Sequence, residues 1–158
     1  KITRKSWEAA STDPAKVSRP LADLPLLFGQ LRSMHCYIAV CTADVRESTE
    51  AALNALGVSS LVDAILCSDD GLPPKPSPDQ LWHLCSKLGV EPHRTVMVGD
   101  TPTDLRMGRM AGVAFNVGVL GGAGAKADLV SDADCLVPTI ATLPRILAPL
   151  CSSVVVKK

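Results

Sequence analysis

The feature that most constrains the fold is an alternation of short apolar runs with amphipathic segments, which begins after Pro20. In the first amphipathic segment, Leu24, Leu27, Phe28 and Leu31 recur at helical spacing. Continuous apolar strands between such helices are typical of βαβ units, because helices then cover both faces of a parallel sheet. We therefore predict a three-layer, Rossmann-like α/β fold. Its strands are expected near residues 36–41, 64–67, 95–98, 113–119 and 135–137.

Capping residues predict where several of the helices begin and end. Asp23 is placed to cap the first helix, and Asp44 with Glu47 predicts a capping box for the second. Pro102 to Ala111 is predicted as one helix, because Gly112 follows it in the position where a left-handed glycine commonly ends a helix.

The composition argues against several classes of function. The 158 residues carry 16 basic and 16 acidic side chains, so the chain lacks the positive charge typical of nucleic-acid-binding proteins. Aromatic residues make up only 3% of the chain, which argues against a base-stacking surface. No apolar run approaches the roughly 20 residues of a membrane span, and we expect no signal peptide. We expect neither nucleic acid nor a membrane as a partner, and the composition gives no indication of the oligomeric state.

The six cysteines are expected to be reduced. They follow no close-paired spacing, and the three histidines show no zinc-ligand pattern. Four of the cysteines lie in apolar stretches, where a thiol behaves as a small hydrophobic group. Reduced thiols are typical of a reducing compartment, so we expect the protein in the cytoplasm.

Polar residues follow three of the predicted strands. Thr42 comes after the first, Lys75 lies in a proline-rich loop after the second, and Asp100 and Asp104 come after the third. Ligands of open parallel sheets bind beyond the carboxyl ends of the strands, so we expect these side chains to meet at one edge. Each of them alone has a purely structural interpretation, and for Asp104 this is a capping arrangement with Thr101.

Together these residue types suit a phosphate ligand and a hard cation. Thr42 offers a hydroxyl, and with Ala43 it offers backbone N–H groups beside a helix N-terminus, where anions bind. Lys75 supplies a positive charge on a loop that its prolines stiffen. Asp100 is a candidate ligand of Mg²⁺, and Asp104 could bind the metal or orient its water.

Three segments resemble motifs of the haloacid dehalogenase (HAD) superfamily. Residues 38–42, Lys75 in its loop and residues 96–104 are similar to the second, third and fourth motifs, in the family's order. Residues 107–112 also resemble the helix that follows the fourth motif. The resemblance covers about residues 20–148 and is greatest to phosphoglycolate-phosphatase-like members that carry a helical cap.

The resemblance implies Mg²⁺-dependent hydrolysis of a phosphate ester through an aspartyl-phosphate. By position, Thr42 and Lys75 would hold the phosphoryl oxygens, with Ala43 beside them. Asp100 would bind Mg²⁺, and Asp104 would support that site as a catalytic group and second candidate ligand. The substrate class implied is a small phosphorylated metabolite, such as phosphoglycolate or a sugar phosphate.

The family's first motif, a strand that ends in Asp-x-Asp and supplies the nucleophile, is not found in the sequence. Asp132 and Asp134 match the Asp-x-Asp pattern but precede a strand instead of following one. Asp69 and Asp70 lie in the loop before Lys75. We interpret both pairs as turn or surface residues. The family's first strand lies between those that carry Thr42 and Asp100, so its loss would leave each of them without a pairing partner on that side. We therefore expect this chain alone to be inactive and poorly stable unless another segment supplies that strand.

The boundaries follow from the same interpretation. The chain opens with Lys1, and we expect it to begin partway into a longer protein whose N-terminal segment is a partner of this one. Residues 1–19, with a short helix near residues 7–10, are predicted as a remnant of the cap and its linker. Residues 20–150 are predicted as the hydrolase core, and residues 151–158 as a tail.

Other functions remain open. A receiver domain also gathers acidic residues, a hydroxyl and a lysine, but in a different chain order. Residues 122–127 spell a loose dinucleotide-binding fingerprint, yet no acidic residue follows Asp134, and a loop near the site is the better interpretation. A non-catalytic HAD-like scaffold or interaction domain is the main alternative to a phosphatase.

Overall fold

The computed structural model of the protein describes residues 22–151. The expected cap remnant at 1–19, its helix near 7–10 and residues 152–158 of the expected tail lie outside the described residues. Within them the helices are α1 (Leu24–Ser33), α2 (Arg46–Ala55), α3 (Asp79–Leu88), α4 (Pro102–Ala111), α5 (Lys126–Leu129) and α6 (Leu143–Cys151). The strands are β1 (Ala39–Cys41), β2 (Ala64–Leu66), β3 (Val96–Gly99), β4 (Phe115–Val119) and β5 (Cys135–Val137). Short 3-10 turns cover Ser59–Leu61, Pro92–Arg94 and Ile140–Thr142.

The strands form two parallel sheets. In the first, β1 pairs with β2, and Ala39 lies opposite Ala64. In the second, the order is β3-β4-β5, and Val98 lies opposite Val117. Parallel pairing with intervening helices confirms the predicted α/β fold.

Two strands have only one neighbour among the described residues. β1 pairs only with β2, and β3 pairs only with β4. All four residues of β3 are partly exposed, whereas Asn116–Val119 of β4, which has a strand on both sides, are buried. The open edges therefore belong to the two strands between which the family resemblance expects a further strand.

Helices cover both faces of the sheets. On one face, α1 and α6 pack on β4 and β5, with Leu27, Leu31, Val117 and Leu147 in the shared core. On the other face, α3 packs against α4 and against β1 and β2. Burial of these apolar side chains stabilises the arrangement by roughly 25 cal/mol for each Å² removed from water. None of the helices within residues 22–151 is long and apolar enough to cross a membrane.

The ends of the helices are partly as predicted. Asp23 caps α1 by accepting a hydrogen bond from Leu26 N at 3.1 Å, and α4 ends at Gly112, whose φ is 76°. The prediction that Asp44 and Glu47 cap α2 is wrong. The residue at the cap is Val45, which makes no side-chain capping bond, because the cap comes from a residue distant in sequence.

The first strand is shorter than predicted. It begins at Ala39 instead of Cys36, because the chain is still closing α1 at that point. His35 adopts a φ of 60°, and Cys36 N donates to the carbonyl oxygen of Leu31 at 3.1 Å. A left-handed residue followed by such a bond is the usual end of a helix, and it delays the extended backbone.

Two helical glycines differ in the space around them, which gives a matched test of the packing. A Cβ added at Gly108 in α4 would overlap Asn116 Oδ1 and lie 2.9 Å from Met97 Cβ, whereas one added at Gly29 in α1 meets nothing within 4 Å. We expect Gly108→Ala to lower the free energy of unfolding by about 1–3 kcal/mol. Gly29→Ala should raise it by up to about 1 kcal/mol, because alanine favours the helix.

Urea denaturation monitored by circular dichroism measures both values. Equal shifts for the two variants would contradict the close packing of α4 on β3 and β4.

Candidate active site

Thr42 is the first residue after β1 and is fixed there by its backbone. Its N–H donates to the carbonyl oxygen of Leu66 at 3.0 Å, which continues the pairing with β2. Its hydroxyl donates to Asp44 Oδ2 and accepts a hydrogen bond from Asp44 N, both at 3.1 Å. The N–H of Ala43 makes no hydrogen bond with the residues described, so it can donate to a ligand at this edge.

Lys75 extends from its proline-rich loop and contacts both β1 and α4. Its Nζ donates to the carbonyl oxygen of Cys41 at 2.8 Å and to Asp104 Oδ1 at 2.7 Å. The side chains of Lys75 and Asp104 are only 16% and 9% exposed, so water screens this ion pair weakly. An ammonium has three N–H donors, and two are used here, which leaves one for a further acceptor.

Asp104 lies in the first turn of α4 and has both carboxylate oxygens engaged. Oδ1 accepts from Lys75, and Oδ2 accepts from the hydroxyl of Thr101 at 2.6 Å and from Thr101 N at 3.2 Å. The predicted capping arrangement with Thr101 is thus present as a complete capping box. These contacts favour a supporting role for Asp104 over direct ligation of a cation, and its assignment as a metal ligand stays a prediction.

The backbone passes close to Asp104 at the end of β3. A Cβ added at Gly99 would overlap Asp104 Cβ and lie 2.9 Å from its Cγ. A side chain at position 99 would therefore displace Asp104 from Lys75, which explains the need for glycine there.

Asp100 directly follows β3, between two residues that contact Asp104. Its Oδ2 accepts a hydrogen bond from Ala123 N at 2.9 Å, while its Oδ1 makes no hydrogen bond or ion pair with the residues described. The structure therefore brings Thr42, Lys75, Asp100 and Asp104 to the same edge of the sheets, as the sequence predicts. The chemical roles of these residues remain predictions.

The donor set at Asp100 suits a hard cation. Mg²⁺ takes oxygen ligands and commonly binds one or two carboxylates together with water and substrate phosphate. Residues 22–151 contain no group of three or more His, Cys, Asp or Glu side chains placed to hold a metal. Asp100 fits Mg²⁺ as one carboxylate ligand, so the remaining ligands would come from water, a substrate or another carboxylate.

Cys41 lies beside Lys75 but is unsuited to act as a nucleophile. Burial raises the pKa of the Cys41 thiol above its usual value, although the nearby ammonium of Lys75 opposes the shift. The thiol also donates to Oε1 of the buried Gln80 at 3.1 Å. Because the thiolate is the reactive form, a thiol held protonated at neutral pH reacts slowly.

A cluster of charges joins the loop after Thr42 to the loop before Lys75. Asp69 Oδ1 accepts from Arg46 N at 3.0 Å, which supplies the distant cap of α2, and Asp70 Oδ2 lies 2.7 Å from Arg46 Nη2. The pKa of the Asp70 carboxyl is lowered, first by a hydrogen bond from Cys67 N and then by Arg46. These contacts confirm that Asp69 and Asp70 are turn residues with a structural role.

The second acidic pair is structural as well. Asp134 Oδ1 lies 2.6 Å from Arg109 Nη2, and its Oδ2 accepts from Asn116 N at 2.7 Å. Asp132 accepts through its carbonyl oxygen from Arg109 Nε at 3.0 Å. The pair therefore ties α4 to the start of β5 and lies away from the carboxyl ends of the strands.

The sequence of residues 12–112 matches the haloacid dehalogenase-like hydrolases. This match covers more than half of the chain, and the chain belongs to that family. The sheet topology and the strand-end residues described above agree with this membership.

Individual relatives are similar over parts of their length. A probable phosphatase, IndB, of Dickeya dadantii (strain 3937) is 42% identical over 77 residues, which are 49% of this chain and 34% of the relative. A plasmid-borne phosphoglycolate phosphatase of Cupriavidus necator is 31% identical over 114 residues, which are 72% of this chain and 49% of the relative. The chain thus spans a third to a half of these curated relatives.

A solved structure shows the same fold. The crystal structure of a predicted phosphoglycolate phosphatase from Haemophilus somnus 129pt superposes with a TM-score of 0.73 at 24% identity. The superposition covers 78% of this chain and 55% of that one. It supports the HAD-like, Rossmann-type core predicted from the sequence.

Sequence reasoning missed two features of the site. The first is the contact of Arg46 with Asp69 and Asp70. The only sign of it in the sequence is that Arg46 is a basic residue soon after Thr42. The second is the hydrogen bond between Ala123 and Asp100. The sequence predicts a loop near the site at residues 122–127, but it does not predict this contact.

The ion pair between Lys75 and Asp104 generates a stability prediction. Lys75→Met leaves the carboxylate of Asp104 largely buried without its partner, so the free energy of unfolding should fall by about 2–3 kcal/mol. The double variant Lys75→Met with Asp104→Asn should recover part of the loss, because no buried charge then remains unpaired. Urea denaturation of the set measures this coupling.

Lys87→Met provides the control, because Lys87 is exposed in the last turn of α3 and such substitutions shift stability by about 0.5 kcal/mol or less. Strictly additive effects of the Lys75 and Asp104 substitutions would contradict the ion pair.

Proposed function

We propose that the protein of which these residues form the core is a phosphatase that hydrolyses small phosphate monoesters with the help of Mg²⁺. The observation that carries the proposal is the convergence of a hydroxyl, an ammonium and a carboxylate with an unengaged oxygen at one sheet edge. Family membership and two phosphatase relatives support the reaction class.

The residues of this chain would bind and orient the phosphoryl group. Lys75 has one ammonium donor left after its bonds to Cys41 and Asp104, and this donor can bind a phosphoryl oxygen. The Ala43 N–H provides a second donor beside the start of α2. The Thr42 hydroxyl becomes a third donor when it rotates away from Asp44, to which it donates in the structure.

Asp100 would hold Mg²⁺ through its unengaged oxygen, and the bound cation would neutralise charge on the phosphoryl oxygens. Asp104 would act as a positioning residue, because it fixes the ammonium of Lys75 and caps the helix that follows Asp100. Among the carboxylates at this edge, Asp104 has both oxygens engaged, Asp44 accepts from the Thr42 hydroxyl, and Asp100 is the metal-binding candidate.

The nucleophile is therefore proposed to come from a further strand of the whole protein, placed between β1 and β3. Both strands have an open edge toward that position among residues 22–151. An aspartate at the carboxyl end of such a strand would lie between Thr42 and Asp100, where it could form an aspartyl-phosphate. The proposed substrate class is phosphoglycolate or a sugar phosphate. The cytoplasm is the proposed site of action, because thiols such as those of Cys67 and Cys85, which form no disulfide, stay reduced there.

The proposal is tested with the full protein, purified and assayed for release of phosphate from a panel of esters with and without Mg²⁺. We expect Mg²⁺-dependent turnover, and we expect Asp100→Asn to lower kcat/KM by about 100-fold or more, equivalent to ~3 kcal/mol of transition-state stabilisation. Asp128→Asn is the matched control, because Asp128 is exposed in α5. Full activity of Asp100→Asn would refute the assignment.

The chain of 158 residues alone is expected to be inactive in the same assay, because it supplies binding groups without a nucleophile. Phosphate monoesters hydrolyse so slowly that enzymes accelerate the reaction by up to ~10²¹-fold, which binding groups without a nucleophile cannot provide. Metal-dependent turnover by the isolated chain at the rate of the full protein would contradict the proposed origin of the nucleophile. Absence of turnover in the full protein would favour the non-catalytic scaffold.

A further inference from the structure

We propose that the backbone of residues 121–124, here called the glycine loop, is a positioning element that holds the Asp100 carboxylate with one oxygen directed to the cation. The inference rests on the proposed function, because it concerns the same metal site. It assigns a role to a segment for which the sequence predicts only a loop near the site.

Two backbone donors of the glycine loop bind Asp100. The Ala123 N–H donates to Asp100 Oδ2 at 2.9 Å, and the Gly124 N–H donates to the carbonyl oxygen of Asp100 at 2.9 Å. One bond fixes the side chain and the other fixes the backbone of the same residue. Asp100 is therefore restrained both at its carboxylate and at its backbone, and Oδ1 is the carboxylate oxygen left for a cation.

The contact is close enough to require glycine at two positions. A Cβ added at Gly122 would overlap Oδ2 and Cβ of Asp100. A Cβ added at Gly124 would overlap the carbonyl oxygen of Asp100 and lie 3.2 Å from Leu129 Cδ2. Any larger residue at these positions would have to push the loop away from Asp100, which breaks both hydrogen bonds.

The glycine loop is anchored on both sides, so it can transmit this restraint. Before it, Leu120 N donates to the carbonyl oxygen of Val137 at 2.8 Å, which extends the pairing of β4 with β5. After it, Leu129 of α5 is completely buried. The loop itself is exposed at residues 121–123, which means that its position is set by these anchors and by Asp100.

A restrained carboxylate binds a cation better than a mobile one. A ligand that is already fixed loses less conformational freedom on binding, and hydrogen bonds to ligating carboxylates typically contribute 10–100-fold in metal affinity or activity. The N–H of Ala123 also directs Oδ2 away from the cation, which favours binding through a single oxygen.

The test uses the full protein and measures Mg²⁺ affinity by isothermal titration calorimetry. Gly122→Ala, which forces the loop from Asp100, and Ala123→Pro, which deletes the N–H donor, should each weaken Mg²⁺ binding by about tenfold or more. Gly29→Ala is the matched control, because its new methyl group meets nothing within 4 Å. Both loop variants should be folded in thermal unfolding measured in EDTA, because the loop is exposed. If Gly122→Ala does not fold, the Mg²⁺ affinity of Ala123→Pro tests the inference.

A second readout separates positioning from a general structural role. In both loop variants the Mg²⁺ concentration for half-maximal activity should rise, while kcat at saturating Mg²⁺ and the KM for the ester stay within about threefold of the parent protein. Unchanged Mg²⁺ affinity in folded loop variants of a protein that binds Mg²⁺ would overturn the inference alone. A parent protein that fails to bind Mg²⁺ would overturn the proposed function, and the inference with it.

Discussion

Lys75 Nζ lies 2.8 Å from the carbonyl oxygen of Cys41 and 2.7 Å from Asp104 Oδ1, so one ammonium group contacts β1 and the helix that packs on β3. The two sheets share no strand pairing among residues 22–151, and this polar link joins them at the edge where their strands end. Because both side chains are largely shielded from water, the geometry of each depends on the other. Thr42 is next in the chain to Cys41, which this link holds, and Asp100 is next to Thr101, which hydrogen-bonds Asp104.

The open edges of β1 and β3 indicate where a further strand of the whole protein can pair. Each edge offers backbone groups that a further parallel strand can pair with, and unpaired backbone groups are costly once they are removed from water. A strand placed there would bring its carboxyl end between the residues proposed to bind phosphate and the residue proposed to bind the cation. In the proposed mechanism, this chain supplies the groups that bind the substrate, and the rest of the protein supplies the nucleophile.

The sequence was sufficient for the parts of the structure that depend on local patterns. Apolar periodicity predicted the helices and parallel strands, and the order Thr42, Lys75, Asp100 placed the site at the carboxyl ends of the strands. Contacts between distant residues could not be predicted. The cap of α2 comes from Asp69, since Asp44 is occupied by Thr42, and Asp100 is held by a loop more than 20 residues later in the chain. Such contacts depend on which loops the fold brings together, and spacing along the chain does not contain that information.

The most direct measurement of the central claim is a crystal structure of the full protein with Mg²⁺ and tungstate, an inert mimic of the phosphoryl group. The account predicts the anion within hydrogen-bond distance of Thr42 Oγ1, Ala43 N and Lys75 Nζ, with Mg²⁺ bound to Asp100 Oδ1. The account would be contradicted by an anion bound elsewhere, with Lys75 bonded only to Cys41 and Asp104, and with no cation at Asp100 at saturating Mg²⁺.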